Sequence, residues 1–531
     1  MPISVRNKRR ILCVFPAYAP SFGTFEYAYA LRGTTRAFMP PQGILVIAAY
    51  LPPEWEVRFV DENIRRARDD EYEWADAIFV SGMHVQRPRI LDINRRAHAL
   101  GKTTVLGGPS VSGCPEFYPD FDYLHIGELG DATDRLIALL DSEPRRPSAQ
   151  VRCLTDERVA LNDFPVPAYD LARLDLYFIG SVQFSSGCPY RCEFCDIPAL
   201  YGRNPRLKTP EQVTRELDAM LARGTFGAVY FVDDNFIGNR KAARELVAHL
   251  IEWQKQNGYP IEFACEATLN IAKQPELLAM MREAFFNTIF CGIESPELNA
   301  LHAMAKDHNA GMPIYEAVKI LNSYGMEVVA GMILGLDTDT PQTLGNVLDF
   351  IRRSNIPMLT INLLEALPRT PLHARLTAEG RLDDDPTRES NVVFRRPYDE
   401  VVSEWRQCMA IAYEPKELYR RFAYHVEHTY PKRIKPPASP QRASWSNIRK
   451  GIRIMTNLLL RVGLFADYRA TFWEMAWPLL KAGRIEDVIH VGLVAHHLIA
   501  FTRHAVKGRA NASFYSRKLR ERGEPVVQGS G

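Results

Sequence analysis

The sequence predicts an α/β chain in three parts: a Rossmann-like doubly wound sheet over 1–170, a (βα)6-type partial barrel over 171–400, and a helical C-terminal domain over 401–531. Three observations carry this reading. Short apolar runs alternate with helical stretches up to residue 170, a second series of strand–helix units starts at 181, and strand signals stop after 400. A length of 531 residues suits two or three cores rather than one.

In the first part the expected strands are 11–16, 56–62, 77–83, 103–109 and 123–128, with helices such as 44–51 and 90–100 between them. That alternation gives a parallel sheet covered on both faces, whose ligands bind beyond the carboxyl ends of the strands. Ser81-Gly82 and Gly107-Gly108 stand at two such ends, and Gly127 to Gly130 follow a third. Glycine there lets backbone approach a ligand closely. The proline-spaced stretch 162–170 reads as a linker.

The second series has expected strands at 181–187, 228–234, 261–267, 288–295, 328–336 and 358–367, with helical patterns such as 210–223 and 241–256 between them. Barrel chemistry sits at the carboxyl ends of such strands. An acidic stretch at 381–390 closes the region. Beyond 400, helices are expected at 404–413, 446–463, 468–482 and 485–504, with a polar loop at 429–444. The stretch 488–501 is apolar but too short and too histidine-rich to span a bilayer.

A content of 46% hydrophobic and 24% charged residues is that of a globular protein, which sets aside disordered and fibrous classes. No run of 18 apolar residues occurs and the N-terminus has no cleavage-site pattern, so a cytoplasmic location is expected. The net charge of +2 is unevenly spread. Residues 415–520 hold 20 Lys and Arg against 6 Asp and Glu, a balance of +14, which leaves −12 on the remainder. Such a segment suits an anionic surface. No nucleic-acid motif accompanies it and its charges interleave with apolar helix positions, so no nucleic-acid partner is expected. Peripheral contact with the inner membrane is the expectation, with Phe465, Phe472, Trp473 and Trp477 as its aromatic contacts. The competing reading puts these aromatics in the core that docks the tail on the barrel.

Six of nine cysteines are scattered: Cys13, Cys114, Cys153, Cys265, Cys291 and Cys408. Cys188, Cys192 and Cys195 stand together in SSGCPYRCEFCDIP, a C-x3-C-x2-C spacing after the first strand of the second series. Three thiolates on one turn can hold three irons of a cubane cluster and leave the fourth iron open. A structural zinc would need a fourth ligand. None lies close in sequence: Cys153 is 35 residues away and His249 sits in a helical pattern.

This motif at the end of a first barrel strand, with Phe194 before the third cysteine, resembles the radical S-adenosylmethionine (SAM) superfamily. The resemblance implies that Cys188, Cys192 and Cys195 ligate a [4Fe-4S] cluster. Its open iron would bind SAM, whose one-electron cleavage gives a 5′-deoxyadenosyl radical. It also implies cofactor-binding roles at later strand ends. Asp233 and Asp234 of FVDDN replace the usual Gly-Gly-Glu of the second strand, Glu266 ends the third, Glu294 the fourth, and GMILGLD (331–337) the fifth. LPRTPL (367–372) matches a Pro-Gly-Thr-Pro pattern, with Arg369 for glycine. The rival reading makes these carboxylates helix caps or barrel-rim groups.

A Rossmann-like domain ahead of such a barrel resembles the cobalamin-binding class of the superfamily, which implies cobalamin beside Ser81, Gly82, Gly107 and Gly108. The Asp-x-His-x-x-Gly that supplies a lower axial histidine is absent; Asp122, His125 and Gly127 have a different spacing. Binding without a histidine ligand is expected. Methylthiotransferases are set aside, because Cys13, Cys114 and Cys153 are too far apart to form their second motif.

The runs 21–52 and 181–210, with SPQRASW (439–445) and VGLVAHHLI (491–499), resemble the bacterial hopanoid C-2 methylases over nearly the whole chain. The implied activity is cobalamin-dependent radical SAM methylation of an unactivated carbon, carbon 2 of the hopanoid A ring. One SAM would supply the methyl group and a second the radical, with a flavodoxin or ferredoxin as one-electron donor. No side chain is singled out as catalytic, because the cofactors carry the reaction. The alternative is the same cofactor pair cyclising, oxidising or methylating another small molecule, such as a tetrapyrrole.

Overall fold

The computed structural model describes residues 5–143, 145–224, 226–383, 385, 387–437 and 445–508. Most of SPQRASW, the end of the polar loop, and the last stretch of the basic segment from 509 lie outside the described residues.

Six strands build the first sheet: β1 (Arg10–Phe15), β2 (Glu56–Asp61), β3 (Ala77–Ser81), β4 (Thr103–Gly107), β5 (Tyr123–Ile126) and β6 (Val151–Leu154). All pair in parallel, in the order β2-β1-β3-β4-β5-β6. Both faces are covered. Leu12, Val14, Ile78 and Val80 pack into one core, and Ile11, Cys13, Ala77 and Phe79 into another. The order reverses between β1 and β3, which opens a crevice at the carboxyl ends of the central strands. β6 escaped the sequence reading because only Cys153 of Val-Arg-Cys-Leu is buried.

The second sheet contains β7 (Gly180–Val182), β10 (Ala228–Phe231), β11 (Glu262–Glu266), β12 (Phe286–Glu294), β13 (Glu327–Leu334) and β14 (Met358–Leu363), with a hairpin of β8 (Ser185–Ser186) and β9 (Arg206–Leu207). The six parallel strands follow one another from β7 to β14, each unit adding at the same edge. The result is a six-stranded partial barrel, open between its first and last strands. The pleat sorts side chains by period two. Phe263, Cys265, Ile289 and Cys291 lie fully buried under the helices. Their neighbours Ala264, Glu266, Phe290 and Gly292 stay half-buried on the inner face.

Among the described residues five α-helices follow: Tyr398–Ala412, Pro415–His428, Trp445–Leu458, Arg469–Lys481 and Ile485–Val506. The second was not anticipated. Pro415 opens it and the Glu414 side chain accepts from Glu417 N at 3.1 Å, a start signal that the sequence reading passed over. The last is 22 residues, longer than expected and long and apolar enough to cross a bilayer. Its apolar residues are used internally instead. His497 is fully buried, donates to the Phe22 carbonyl at 3.1 Å and stacks on Phe25, while Phe501 meets Phe22 edge-on. One apolar core runs from the barrel into these helices and the segment that leaves β1.

The four tail aromatics divide. Phe472 is fully buried beside Tyr419 and Trp473, so its expected place at an interface is corrected to a core position. Trp473 is half-buried, its Nε1 donating to the Gly463 carbonyl at 2.8 Å. Phe465 and Trp477 are exposed.

Candidate active site

The three cysteines hang on a loop that begins where β7 ends. The sequence suggested one continuous strand over 181–187. Asp233, just past β10, interrupts it by accepting from the backbone N–H of Phe184 and of Ser185. Ser185 and Ser186 then pair antiparallel with Leu207 and Arg206, closing the cysteine loop at its base. Gly187 has φ 98, and a Cβ there would lie 2.9 Å from the Gly202 carbonyl. No other residue type fits that turn without strain. Gly187 N donates to Asp234 at 2.7 Å and Cys188 N to Gly202 O at 3.2 Å.

Further contacts clamp the loop's far side. Glu193 N donates to Met304 O, and Leu372 N donates to Glu193 O at 2.9 Å. Arg375 holds the Glu193 carboxylate at 2.6 Å. Both Leu372 and Arg375 belong to the turn and helix after β14, where Arg369 stands at φ 65. That is the conformation a glycine would take, so the turn of the Pro-Gly-Thr-Pro pattern is kept although arginine stands at its glycine position.

Burial pushes the Cys188, Cys192 and Cys195 thiols up; Cys192 also feels Cys188, and Cys195 feels both of the others. Thiols in this state ionise only where a cation offsets the lost solvation, which suits a metal centre. Among the described residues no three His, Cys, Asp or Glu converge on one point. A tetrahedral zinc would require such convergence, whereas a cubane spreads three thiolates over three irons.

The carboxylates singled out from the sequence take different parts. Asp233 is buried, with its carboxyl pushed up to about 7 by burial, and Asp234 is held at about 6 for the same reason. Both are occupied in shaping the loop. Beside them, Asn235 is 2% exposed, and neither atom of its amide has a nitrogen or oxygen partner. It faces the Cys188 thiol and favours its anion. Glu266 accepts from Tyr230 Oη at 3.0 Å on the inner face, its carboxyl at about 7 through burial. Glu294, at φ 66, pairs with buried Lys306 at 2.6 Å. Burial works against the Lys306 ammonium, but Glu294 and the Cys192 thiol hold its pKa above the usual lysine value. Its Nζ also lies 5.4 Å over the Phe194 ring. Across the inner face Gly292, Gly331 and Thr360 are in register, leaving a row of small side chains beside Glu294.

In the first sheet, Ser81 and Gly107 are half-buried at the ends of β3 and β4. Gly82 is buried, and a Cβ there would press on Ile90 and Gln86. Gly108, at φ 93, packs so tightly that a Cβ would lie 2.6 Å from Ser81 Oγ. The two pairs therefore pack against one another, with room left above Gly107, where a Cβ would meet only His125 at 3.8 Å. His125 is buried, its pKa lowered to about 4 by that burial, and its Nε2 meets Thr133 Oγ1 at 2.9 Å.

Sequence reasoning missed the link between the two sheets. Glu128, on the loop after β5, accepts from Arg206 of the cysteine hairpin at 2.5 Å and from Ser186 Oγ at 3.1 Å, and pairs with Arg158 at 2.9 Å. Arg158 in turn donates to the Tyr201 and Leu200 carbonyls within the cysteine loop. Lys306 and Asn235 were also missed. Only the adjacency of Asn235 to the Asp pair could have marked it.

Residues 182–351 match the profile of the Radical SAM superfamily, and 370–511 that of a domain of unknown function, DUF4070. The chain is 58% identical to the hopanoid C-2 methylase of Rhodopseudomonas palustris (strain TIE-1), an alignment covering 98% of this chain and 99% of that one. It is 32% identical to an uncharacterized methyltransferase of Synechocystis, over 98% of this chain and 97% of the other. Its fold matches the cobalamin-dependent SAM radical enzyme OxsB, solved with aqua-cobalamin and SAM bound, with a TM-score of 0.60 at 16% identity, covering 96% of this chain and 82% of OxsB.

Proposed function

We infer the activity of this chain from its family: it belongs to the hopanoid C-2 methylases, within the radical SAM superfamily. It is a radical SAM methyltransferase that methylates carbon 2 of the hopanoid A ring. The single observation that carries this is 58% identity spanning nearly all of both chains. The target carbon has neither an acidic proton nor a nucleophilic lone pair, so polar transfer from SAM cannot reach it. A [4Fe-4S] cluster and a cobalamin, when bound, supply one-electron cleavage of SAM and a methyl group that a carbon radical can take.

The chain's own work is positional. Cys188, Cys192 and Cys195 would ligate three irons, and Lys306 would offset negative charge beside them. Asp233 and Asp234 would act through the loop they shape rather than on SAM directly. The Asn235 amide, which has no nitrogen or oxygen partner, would face the cofactors beside Cys188. Glu266 and Glu294, with the Gly292–Gly331–Thr360 row, would bound the space for the substrate carbon. Ser81, Gly82, Gly107 and Gly108 would rim the cobalamin crevice, with His125 engaged elsewhere. Hydrogen abstraction and methyl delivery meet at one carbon, so Glu128 and Arg206 would keep the two cofactor platforms in fixed relation.

A cytoplasmic one-electron donor, a flavodoxin or ferredoxin, would reduce the cluster. The substrate partitions into bilayers, so the enzyme would work in peripheral contact with the inner membrane. Hopanoid profiles from a strain lacking the gene test the activity. Restored 2-methylhopanoid on complementation with the wild type, and none with Cys192→Ala, is the expected result; an unmethylated profile with both contradicts it.

A further inference from the structure

We propose that the solvent-facing side of the helix Trp445–Leu458 and the π-turn that follows it is the surface that docks this enzyme on an anionic lipid bilayer. The proposal rests on a membrane lipid being the substrate. Among the described residues, eleven large apolar side chains are exposed, and eight of them fall between 445 and 485. Single exposed apolar residues are ordinary, but a concentration of this kind marks an interaction surface.

The helix has two apolar sides. At about 100° per residue, Trp445, Ile448 and Ile452 fall within about 60° of one another, while Ile454 and Leu458 point the opposite way. Ile454 and Leu458 are buried in the core, whereas Trp445 is 82% and Ile452 60% exposed. Residues Leu459–Leu464 then wind as a π-helix, a rare device often found at functional positions. It carries Leu464 and Phe465 outward, the latter 75% exposed. Trp477 on the next helix is also exposed, with Lys481 Nζ 5.2 Å over its ring.

Charge selects the occupant. Arg449, Arg453 and Arg461 are exposed along the same stretch, within a segment whose balance is +14 on an otherwise acidic chain. Apolar residues flanked by Arg, with tryptophan at the rim, are what a helix lying in a headgroup layer presents. Each basic group near an anionic surface is worth about fivefold in partition. On the helix's other side Asn457 Nδ2 donates to Leu31 O at 3.1 Å, which ties the helix to Glu26–Arg32 after β1 and leaves the apolar face outward.

Co-sedimentation of the holoenzyme with phosphatidylcholine vesicles, with and without phosphatidylglycerol, tests the proposal. Binding to the anionic vesicles, weakened by salt and cut at least about tenfold in Ile452→Glu/Phe465→Glu, is expected. Leu298→Glu, which charges an equally exposed leucine on the barrel, should bind as the wild type does. No binding by the wild type overturns the proposal, as does binding that survives the double substitution. A dimer in sedimentation velocity that the double variant abolishes, without vesicle binding, assigns the face to a second copy and also overturns it. Hopanoid dispersed in detergent separates this from the activity itself. Both proteins should methylate it equally, so methylation without vesicle binding sinks only the docking face, and vesicle binding without methylation sinks only the activity.

Discussion

Glu128 and Arg206 meet at 2.5 Å, although one stands on the loop after β5 of the first sheet and the other in the hairpin that closes the cysteine loop. Their side chains are only 13% and 26% exposed, so the pair is shielded enough to fix geometry. It joins the crevice of one sheet to the strand end of the other.

Breaking that pair should therefore uncouple the two platforms without emptying either. Glu128→Gln and Arg206→Gln should each retain iron and cobalamin near wild-type levels yet lower turnover by about 10- to 100-fold. A double-mutant cycle on stability should give a coupling of about 1–2 kcal/mol. Additive losses in the cycle would show that the contact does not couple the sheets.

Asn235 gives a prediction of opposite sign for stability and activity. Its buried amide has the weak Cys188 thiol beside it and no nitrogen or oxygen partner, so much of a desolvation cost of about 1–3 kcal/mol is left uncompensated. Asn235→Leu should make the cofactor-free protein more stable in chemical unfolding by about 1–2 kcal/mol while lowering methylation. A variant that is both less stable and fully active would place this amide outside the site.

The cysteine loop shows what can be read from a chain and what cannot. Residue type and spacing announce Cys188, Cys192 and Cys195, because three thiolates in eight residues have few other uses. The barrel strands were legible through their apolar runs. The break after Val182 was not, since it depends on Asp233 arriving from 48 residues downstream to take the N–H of Ser185. Glu128 looked like one acid in a glycine-rich turn, and Gly130 like a cofactor contact. Yet a Cβ on Gly130 would sit 2.2 Å from the Glu157 carbonyl, so close packing already requires glycine there. Long-range polar contacts leave no local pattern, and the surroundings of the cysteine loop were less legible than its spacing for that reason.

Arg369 holds a left-handed turn that glycine adopts without strain. Arg369→Gly should keep the Leu372-to-Glu193 contact and raise unfolding stability by about 0.5–1 kcal/mol. A loss of stability, or of iron, would mean that the guanidinium itself supports the loop.

Burial lifts the Glu266 carboxyl from its ordinary range to about 7, with the Tyr230 hydroxyl pulling the other way. The folded protein thus holds this proton more tightly than the unfolded chain does. Its contribution to stability is complete below pH 4.5 and is lost as pH rises through 7. Between pH 5 and 8 the cofactor-free wild type should lose about 2 kcal/mol relative to Glu266→Gln, allowing for the half-buried position. Parallel pH profiles of unfolding midpoints in the two proteins would contradict this.

A radical made at the three-cysteine loop would take hydrogen from a hydrocarbon position held in the barrel, and the resulting carbon radical would take a methyl group that comes from a second SAM. The most direct measurement is product stoichiometry with purified, anaerobically reconstituted enzyme, hopanoid, reductant and SAM labelled in its methyl group. One 5′-deoxyadenosine and one S-adenosylhomocysteine are expected for each labelled 2-methylhopanoid, with neither 5′-deoxyadenosine nor labelled product from Cys192→Ala. Labelled 2-methylhopanoid formed without 5′-deoxyadenosine, or formed by the Cys192→Ala protein, would contradict it.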